Sequence, residues 1–293
     1  MKISDHIKDI AQRLLPICGN TTVATQEAWW IIEAVAGRKK YELLSTDKEL
    51  SSDELFHISL FIKQRVLEKK PLQYILGRVP FCGLEVSIRE PILIPRPETE
   101  EWVTWLISCY KAAGVANFTV LDLCTGSGCI ALALAQQFQQ SSILGIDIND
   151  DAISLARENC RNAYLSNVSF ITSDLYAQLP RTFKYHLIVS NPPYLSIDEY
   201  RQLGDDVRRW EDSKAFLGGD DGMFFYQKIL RDAPQFLYPL ESYNKDLPNV
   251  VFEIGPAQEG CLEKLLASLG MHNYTIHKDM QCKRRWVSIK VPI

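Results

Sequence analysis

One stretch of the chain constrains the fold more than any other. Val120-Leu121-Asp122-Leu123 is an apolar run, Cys124-Thr125-Gly126-Ser127-Gly128 a turn of small residues, and Cys129-Ile130-Ala131-Leu132-Ala133 an apolar helical run. A strand that passes through glycines directly into a helix predicts the first βα unit of a doubly wound sheet, where ligands bind at the carboxyl ends of the strands. Gly126 and Gly128 permit tight turning and close backbone approach to a ligand. The spacing departs from the dinucleotide fingerprint, because position 131 is Ala and the pattern opens on Asp122. It also passes as a degenerate version with a terminal Ala, and a turn that binds nothing is the plain alternative.

The strands that follow carry polar residues at their carboxyl ends. Ile143-Leu144-Gly145-Ile146 ends in Asp147, about 20 residues after the glycines, where an acid can accept hydrogen bonds from ribose hydroxyls. The bland alternative is an N-cap for the next helix, but Asp150 is expected to be the better cap. Val168-Ser169-Phe170-Ile171-Thr172 leads to Asp174 and Leu175, an acid for an adenine amino group and an apolar side chain for its ring, or else a simple turn. Leu187-Ile188-Val189-Ser190 reads as a buried strand and delivers Asn191. Four successive strand ends each carry a polar group suited to a nucleoside or to its reacting partner.

The fourth of these ends is Asn191-Pro192-Pro193-Tyr194. It suits methyl transfer to a planar, weakly nucleophilic nitrogen, that of an amide or an exocyclic amine. The lone pair of such a nitrogen is delocalised, so the group must be held and re-hybridised as it attacks. The Asn191 side-chain oxygen can accept one N–H, and proline, lacking an N–H of its own, presents carbonyl oxygens without a competing donor. Two acceptors, Asn191 Oδ1 and the Pro192 carbonyl, fix two hydrogens and aim the lone pair. The Tyr194 ring can pack on a planar face. Taken alone, the tetrapeptide is only a turn signal. His186, in the strand before it, reads as structural, because the product nitrogen is acidic enough to need no strong base beforehand.

The chain resembles the HemK/PrmC family, S-adenosylmethionine-dependent methyltransferases that modify a glutamine of peptide-chain release factors. The blocks that carry the resemblance are Pro71-Leu72-Gln73-Tyr74-Ile75-Leu76-Gly77, Phe81-Cys82-Gly83-Leu84 and Ile92-Leu93-Ile94-Pro95-Arg96-Pro97-Glu98-Thr99-Glu100. Later come Gly218-Gly219-Asp220-Asp221-Gly222 and Phe252-Glu253-Ile254-Gly255, followed by Gln258. The resemblance spans nearly the whole chain. It implies an α/β, Rossmann-like class I methyltransferase domain over 96–293, a helical substrate-recognition domain over 1–78 and a β-hairpin linker over 79–95. It implies S-adenosyl-L-methionine bound by Asp122, Cys124, Thr125, Gly126, Ser127, Gly128, Asp147, Asp174, Leu175 and Asn191. Substrate is expected at Asn191, Pro192, Pro193, Tyr194 and Arg96, with Asn191, Pro192 and Tyr194 catalytic. The implied substrate is the glutamine of Gly-Gly-Gln in class I release factors. An amino-methyltransferase acting on adenine or cytosine would use the same tetrapeptide, with the base flipped into the pocket.

Departures from the family pattern are visible. Cys124 stands where the family usually has Gly, Glu211-Asp212 where it has Glu-Pro, and the segment from Leu240 to Asn249 is longer and more polar than usual.

The remaining properties narrow the setting. A formal net charge of −4 argues against a general nucleic-acid surface. The first 80 residues carry about +2 and the rest about −6, a hint of a basic face for an acidic partner. The 8 cysteines include no CxxC pair and no histidine at metal spacing, so no metal is expected and a reducing cytoplasm is the natural setting. No apolar run approaches the roughly 20 residues of a membrane span, and Met1 to Ile10 is amphipathic, not a signal peptide. A monomer meets every requirement.

Helical periodicity marks the N-terminal part: Ile3, Ile7, Ile10, Leu14 and Leu15, then Ala28 to Ala36 ending at Gly37, then a run opened by Ser51 with Leu55, Ile58, Ile62 and Val66 on one face. Trp29 and Trp30 read as core, Arg38-Lys39-Lys40 as a solvated helix end or a partner contact. Residues 80–95 read as a hairpin, and Arg96 as a substrate contact or a salt-bridged helix entry. After Tyr194 the chain to Gly222 is charged and aperiodic, and a lid that includes Arg208-Arg209-Trp210 is the expectation. Two closing strands, Tyr274-Thr275-Ile276 and Trp286-Val287-Ser288-Ile289, complete the sheet with the last antiparallel.

Overall fold

The computed structural model describes residues 2–45, 49–240 and 244–293. Of the polar stretch from Leu240 to Asn249, residues 241–243 lie outside the described residues. The chain forms two compact units, Met1–Arg78 with Gly204–Trp210, and Val79–Leu203 with Glu211–Ile293.

The first unit is helical: α1 (Ile3–Cys18), α2 (Thr21–Ala36), α3 (Lys40–Ser45), α4 (Ser52–Leu67) and α5 (Leu72–Leu76). Gly19 and Gly37 stop α1 and α2 in the left-handed conformation, and a reciprocal Ser51–Glu54 capping box starts α4. Ile7, Ile10, Leu14, Ala28, Ile32, Ile58 and Ile62 fill its core. A two-pronged ion pair, Arg65 to Glu27 at 2.9 and 3.0 Å, is buried beside them. Three readings need correction. Trp29 is buried but Trp30 is 44% exposed, because neighbours in a helix point about 100° apart. Leu55 lies outside the buried face of Ile58 and Ile62. Arg38 pairs with Glu54 instead of standing free.

The second unit opens with most of a short hairpin, β1 (Arg78–Phe81) and β2 (Leu84–Ser87), turned through Cys82 and Gly83 at positive φ. Ile92 to Ile94, read from the sequence as part of the hairpin, form no strand. Helix α6 (Pro97–Ala112) follows, with Pro97 at its start. The core is a seven-stranded sheet built from β3 (Thr119–Leu123), β4 (Ser142–Asp147), β5 (Val168–Thr172), β6 (Leu187–Ser190), β7 (Val250–Glu253), β8 (Tyr274–Lys278) and β9 (Arg284–Ile289). Their spatial order is β5-β4-β3-β6-β7-β9-β8. All neighbours pair in parallel except β9, which runs antiparallel to β7 and β8. Strands β6 and β7 are buried along their whole length, which explains the apolar runs Leu187-Ile188-Val189 and Val250-Val251-Phe252 that precede their polar last residues. Helices α7 (Cys129–Gln137), α8 (Asp150–Asn162), α11 (Phe224–Asp232) and α12 (Glu259–Ser268) connect the strands.

The order reverses at β3, which has β4 on one side and β6 on the other. Such a switch point opens a crevice at the carboxyl ends of the strands. The aperiodic stretch after Tyr194 is more ordered than its sequence predicts. It contains α9 (Ile197–Arg201), with its own capping box, and α10 (Asp205–Trp210). Helix α10 is grouped with the helical unit, where Trp210 Nε1 donates to the Glu68 carbonyl at 3.3 Å and Lys70 lies over its ring. No helix among the described residues is long and apolar enough to cross a membrane.

Candidate active site

A cavity of about 760 Å³ lies at the switch point, entirely within the sheet unit. Its size falls in the range of small-molecule sites. Of the residues expected from the sequence, Cys124, Gly126, Asp147, Asp174, Leu175, Asn191 and Pro193 line it.

The turn after β3 is held from behind by Asp122. This carboxylate is fully buried, and its Oδ2 accepts from Thr125 Oγ1 at 2.5 Å and from Ala131 N at 3.2 Å. Burial raises its pKa to about 7, although those donors pull the other way. Asp122, Thr125, Ser127 and Gly128, predicted to touch cofactor, do not line the cavity. Burial turns the first three inward, so they shape the turn from beneath. Cys124 occupies the left-handed region at φ 59, which explains why glycine suits this position. Burial holds its thiol well above the ordinary cysteine range, so it is a neutral wall and not a nucleophile. Gly145, in the neighbouring strand, has no room for a side chain: an added Cβ would stand 2.6 Å from the Phe170 ring and 2.8 Å from Thr125 Oγ1.

Asp147 ends β4 facing the cavity. Its Oδ2 accepts from Gly126 N and its Oδ1 from Asn149 N, both at 2.9 Å. Each oxygen keeps a lone pair for a further donor. Asn149, and not Asp150, caps α8, its side chain accepting from Asp151 N. Asp150 instead accepts from the Thr172 hydroxyl. Asp174 lies on the rim with Lys228 at 4.0 Å.

The tetrapeptide ending β6 is held by partners distant in sequence. Asn191 Nδ2 donates to Thr99 Oγ1 at 3.2 Å. Thr99 Oγ1 donates in turn to Glu253 Oε2 at 2.6 Å, where Trp102 Nε1 also donates at 3.1 Å. Tyr194 OH donates to the other oxygen of Glu253 at 3.3 Å. Gln258 Nε2 donates to the Tyr194 carbonyl at 2.6 Å, while its Oε1 accepts from Gly255 N and Tyr226 OH. Gly218 and Gly222 pass so close beneath that an added Cβ would meet the Pro193 carbonyl at 2.7 Å and the Tyr194 carbonyl at 2.3 Å, respectively. The carbonyl of Pro192 and the Oδ1 of Asn191 accept no hydrogen bond among the described residues.

Pro192, Tyr194 and Arg96 are not among the cavity's lining residues. Tyr194 is an anchor of the turn through Glu253. Arg96 is the salt-bridged helix entry, donating to buried Glu211 at 2.6 Å, while the second Glu211 oxygen accepts from Ile94 N. His186 accepts from Thr119 N at 3.0 Å and stacks near Tyr238, and burial lowers its pKa. Thr99, Trp102, Glu253 and Gln258 carry no signal of a role in the sequence. Three of the four stand in the blocks of the family resemblance, but nothing in those blocks points from one to another.

Residues 104–203 match the family described as Methyltransferase small domain, and residues 12–77 the family described as PrmC N-terminal domain. The release factor glutamine methyltransferase of Thermodesulfovibrio yellowstonii is 32% identical over 280 residues, covering 96% of this chain and 95% of that one. That of Fusobacterium nucleatum is 39% identical over 235 residues, covering 80% of this chain, which spans 64% of the relative's length. Among solved structures, the hMettl16 catalytic domain superposes with a TM-score of 0.53 at 16% identity, covering 82% of each chain, a likeness of fold alone. The chain belongs to the release factor glutamine methyltransferases.

Proposed function

We propose that the chain transfers the methyl group of S-adenosyl-L-methionine to the side-chain amide nitrogen of the glutamine in the Gly-Gly-Gln motif of class I peptide-chain release factors. The observation that carries the reading is that Asp147 and Asn191, at the ends of β4 and β6, line one cavity with Cys124 and Gly126. One side suits a nucleoside and the other a planar nitrogen. The names of the relatives supply the substrate, and they do not favour the nucleic-acid alternative.

The residues fit the methyl donor. Asp147 has lone pairs left for ribose hydroxyls. Asp174 and Leu175 suit the edge and face of adenine. Cys124 and Gly126 form a small, neutral wall for the methionine part. When bound, the donor supplies an already activated methyl on a sulfonium. The protein is then left chiefly with alignment, which can account for about 7–11 kcal/mol of a barrier.

Asn191 Oδ1, in the cavity wall, and the Pro192 carbonyl, next along the chain and accepting no hydrogen bond among the described residues, hold the two amide hydrogens of the substrate. Their pull favours a more pyramidal nitrogen with its lone pair exposed. As that nitrogen gains positive charge both bonds tighten, so the stabilisation is greatest in the transition state. The protonated product nitrogen is strongly acidic and releases its proton afterwards, so no side-chain base is assigned.

A radiolabelled transfer assay tests the reading. It pairs the protein and S-adenosyl-L-methionine with a class I release factor, the same factor with Gly-Gly-Gln changed to Gly-Gly-Ala, and unmethylated duplex DNA. Label on the unaltered factor alone is the expected result. Label on DNA alone would replace it with the nucleic-acid reading.

A further inference from the structure

An Asn191 that is to hold an N–H must present oxygen and not NH₂. The two ends of a carboxamide are nearly equal in size, so shape does not choose between them and hydrogen bonding must. Here the choice traces to a buried acid on another strand. Trp102 Nε1 is a donor only, so Glu253 Oε2, 3.1 Å away, accepts from it. Thr99 Oγ1, at 2.6 Å, spends its single proton on the same oxygen. The Thr99 oxygen then has only lone pairs to offer Asn191. The atom facing it at 3.2 Å is therefore Nδ2, which leaves Oδ1 on the opposite branch of the amide. Glu253 also receives the Tyr194 hydroxyl, so one carboxylate fixes both ends of the tetrapeptide.

We propose that Thr99 and Glu253 are positioning residues that set the orientation of the Asn191 carboxamide, so that an acceptor oxygen faces the N–H of the methyl-accepting group. The inference rests on the proposed function only for the statement that this group carries an N–H. The direction of the chain, Asn191 to Thr99 to Glu253, follows from the donor inventory of an ionised Glu253, which has no proton of its own to give Thr99. Both residues are 2% exposed, so neither can touch the substrate itself.

The test uses the full chain and reads four quantities: kcat and KM for the release factor, the dissociation constant of S-adenosyl-L-methionine by calorimetry, and the melting temperature. Thr99→Val keeps the shape and removes the acceptor. It is expected to lower kcat about tenfold, the weight of one lost orienting hydrogen bond, with cofactor affinity changed less than about twofold on the same reasoning. Thr99→Ser restores most of the loss. Glu253→Met frees the Thr99 hydroxyl to donate to Asn191 Oδ1 and hold the amide reversed, so its loss is at least as large. In Glu253→Gln, Trp102 draws the amide oxygen into the place of Oε2, and kcat stays severalfold above that of Glu253→Met. A residue that served packing or charge alone would make Glu253→Gln and Glu253→Met fall together, in step with melting temperature, and that pattern would overturn the proposal. So would an undiminished kcat in folded Thr99→Val.

A second readout needs no turnover. The Asn191 NH₂ signals in a ¹H–¹⁵N spectrum, identified by their loss in Asn191→Asp, should exchange slowly with water in the wild type and Thr99→Ser and rapidly in Thr99→Val. Equal exchange in all three would also sink the idea. Failure of the wild-type chain to label a release factor would reject the substrate and leave this spectral test standing.

Discussion

Strands β3 and β6 lie side by side, and each ends in a turn that lines the cavity, yet the two turns are held in opposite ways. The turn after β3 is held from within. Asp122 reaches Thr125 and Ala131, 3 and 9 positions on, and Asp147 reaches back to Gly126 from 21 positions away. The turn after β6 is held from outside, by Thr99, Glu253 and Gln258, at separations of 92, 59 and 64 positions. The surface suited to the methyl donor is thus built within one contiguous stretch of chain, from Asp122 to Leu175. The surface suited to the acceptor exists only when α6, β7 and the chain after β7 are assembled around it. Loop closure costs grow only slowly with length, so a remote clamp is not much costlier than a near one. What it adds is dependence: acceptor geometry is tied to the integrity of the whole sheet unit.

The largest effect should come from removing the acceptor itself. Asn191→Ala is expected to lower turnover about 10²–10³-fold, as removal of one preorganised group does elsewhere, while S-adenosyl-L-methionine binding weakens only slightly. A variant that kept most of its rate in the labelled-methyl assay would refute the division of labour between the turns. Asp147→Ala is the mirror case. Loss of a charged acceptor, worth about 1.5–3 kcal/mol, should weaken cofactor binding by about tenfold or more, and unchanged affinity in calorimetry would remove the ribose assignment.

Gly222→Ala asks whether the outer turn can be disturbed from a distance. The new Cβ would stand 2.3 Å from the Tyr194 carbonyl and 2.5 Å from Gln258 Nε2, at φ +74. Something must shift, at a cost of about 1–3 kcal/mol in stability. Turnover should fall more than cofactor affinity does. Equal losses in both would mean that the two turns are coupled and not separately held.

The remaining test approaches the inner turn through its buried acid. Asp122 has a pKa of about 7 in the fold, against about 3.9 in an unfolded chain. A folded pKa above the unfolded one means that the neutral carboxyl stabilises the fold. That contribution is complete below the unfolded value and is lost as pH rises through about 7. Asp122→Asn stays neutral and keeps an oxygen for Thr125 and Ala131. Its melting temperature relative to the wild type should therefore climb between about pH 4 and pH 7 and level off above about pH 8. A gap that does not change with pH in thermal unfolding would place the ionisation elsewhere.

The same contrast explains which parts of the site were legible in the sequence. Asp147, Asp174, Leu175 and Asn191 could be found because each ends a strand whose apolar run is visible, and strand ends face the crevice in this topology. The glycine turn was legible as a turn, but not the burial of Asp122, Thr125 and Ser127 behind it, since whether a side chain faces a cavity depends on what packs over it. For Arg96 the sequence offers two readings, and the ion pair that one of them requires is made with Glu211, 115 positions later. The grouping of α10 with the N-terminal helices likewise joins Trp210 to Glu68 across 142 positions, with no periodic pattern in between.

Local chain chemistry specifies the alternation of strands and helices, the glycine turn at the first βα junction and the tetrapeptide at the end of β6. These follow from hydrophobic periodicity, backbone conformational limits and the missing N–H of proline, all of which act within a few residues. Which end of the Asn191 amide faces Thr99, and which acids are buried under the turns, depends on packing between distant elements. Hydrogen-bond direction is set by the partners that surround a group, and for the acceptor side of this cavity those partners are brought together by the fold from distant parts of the chain.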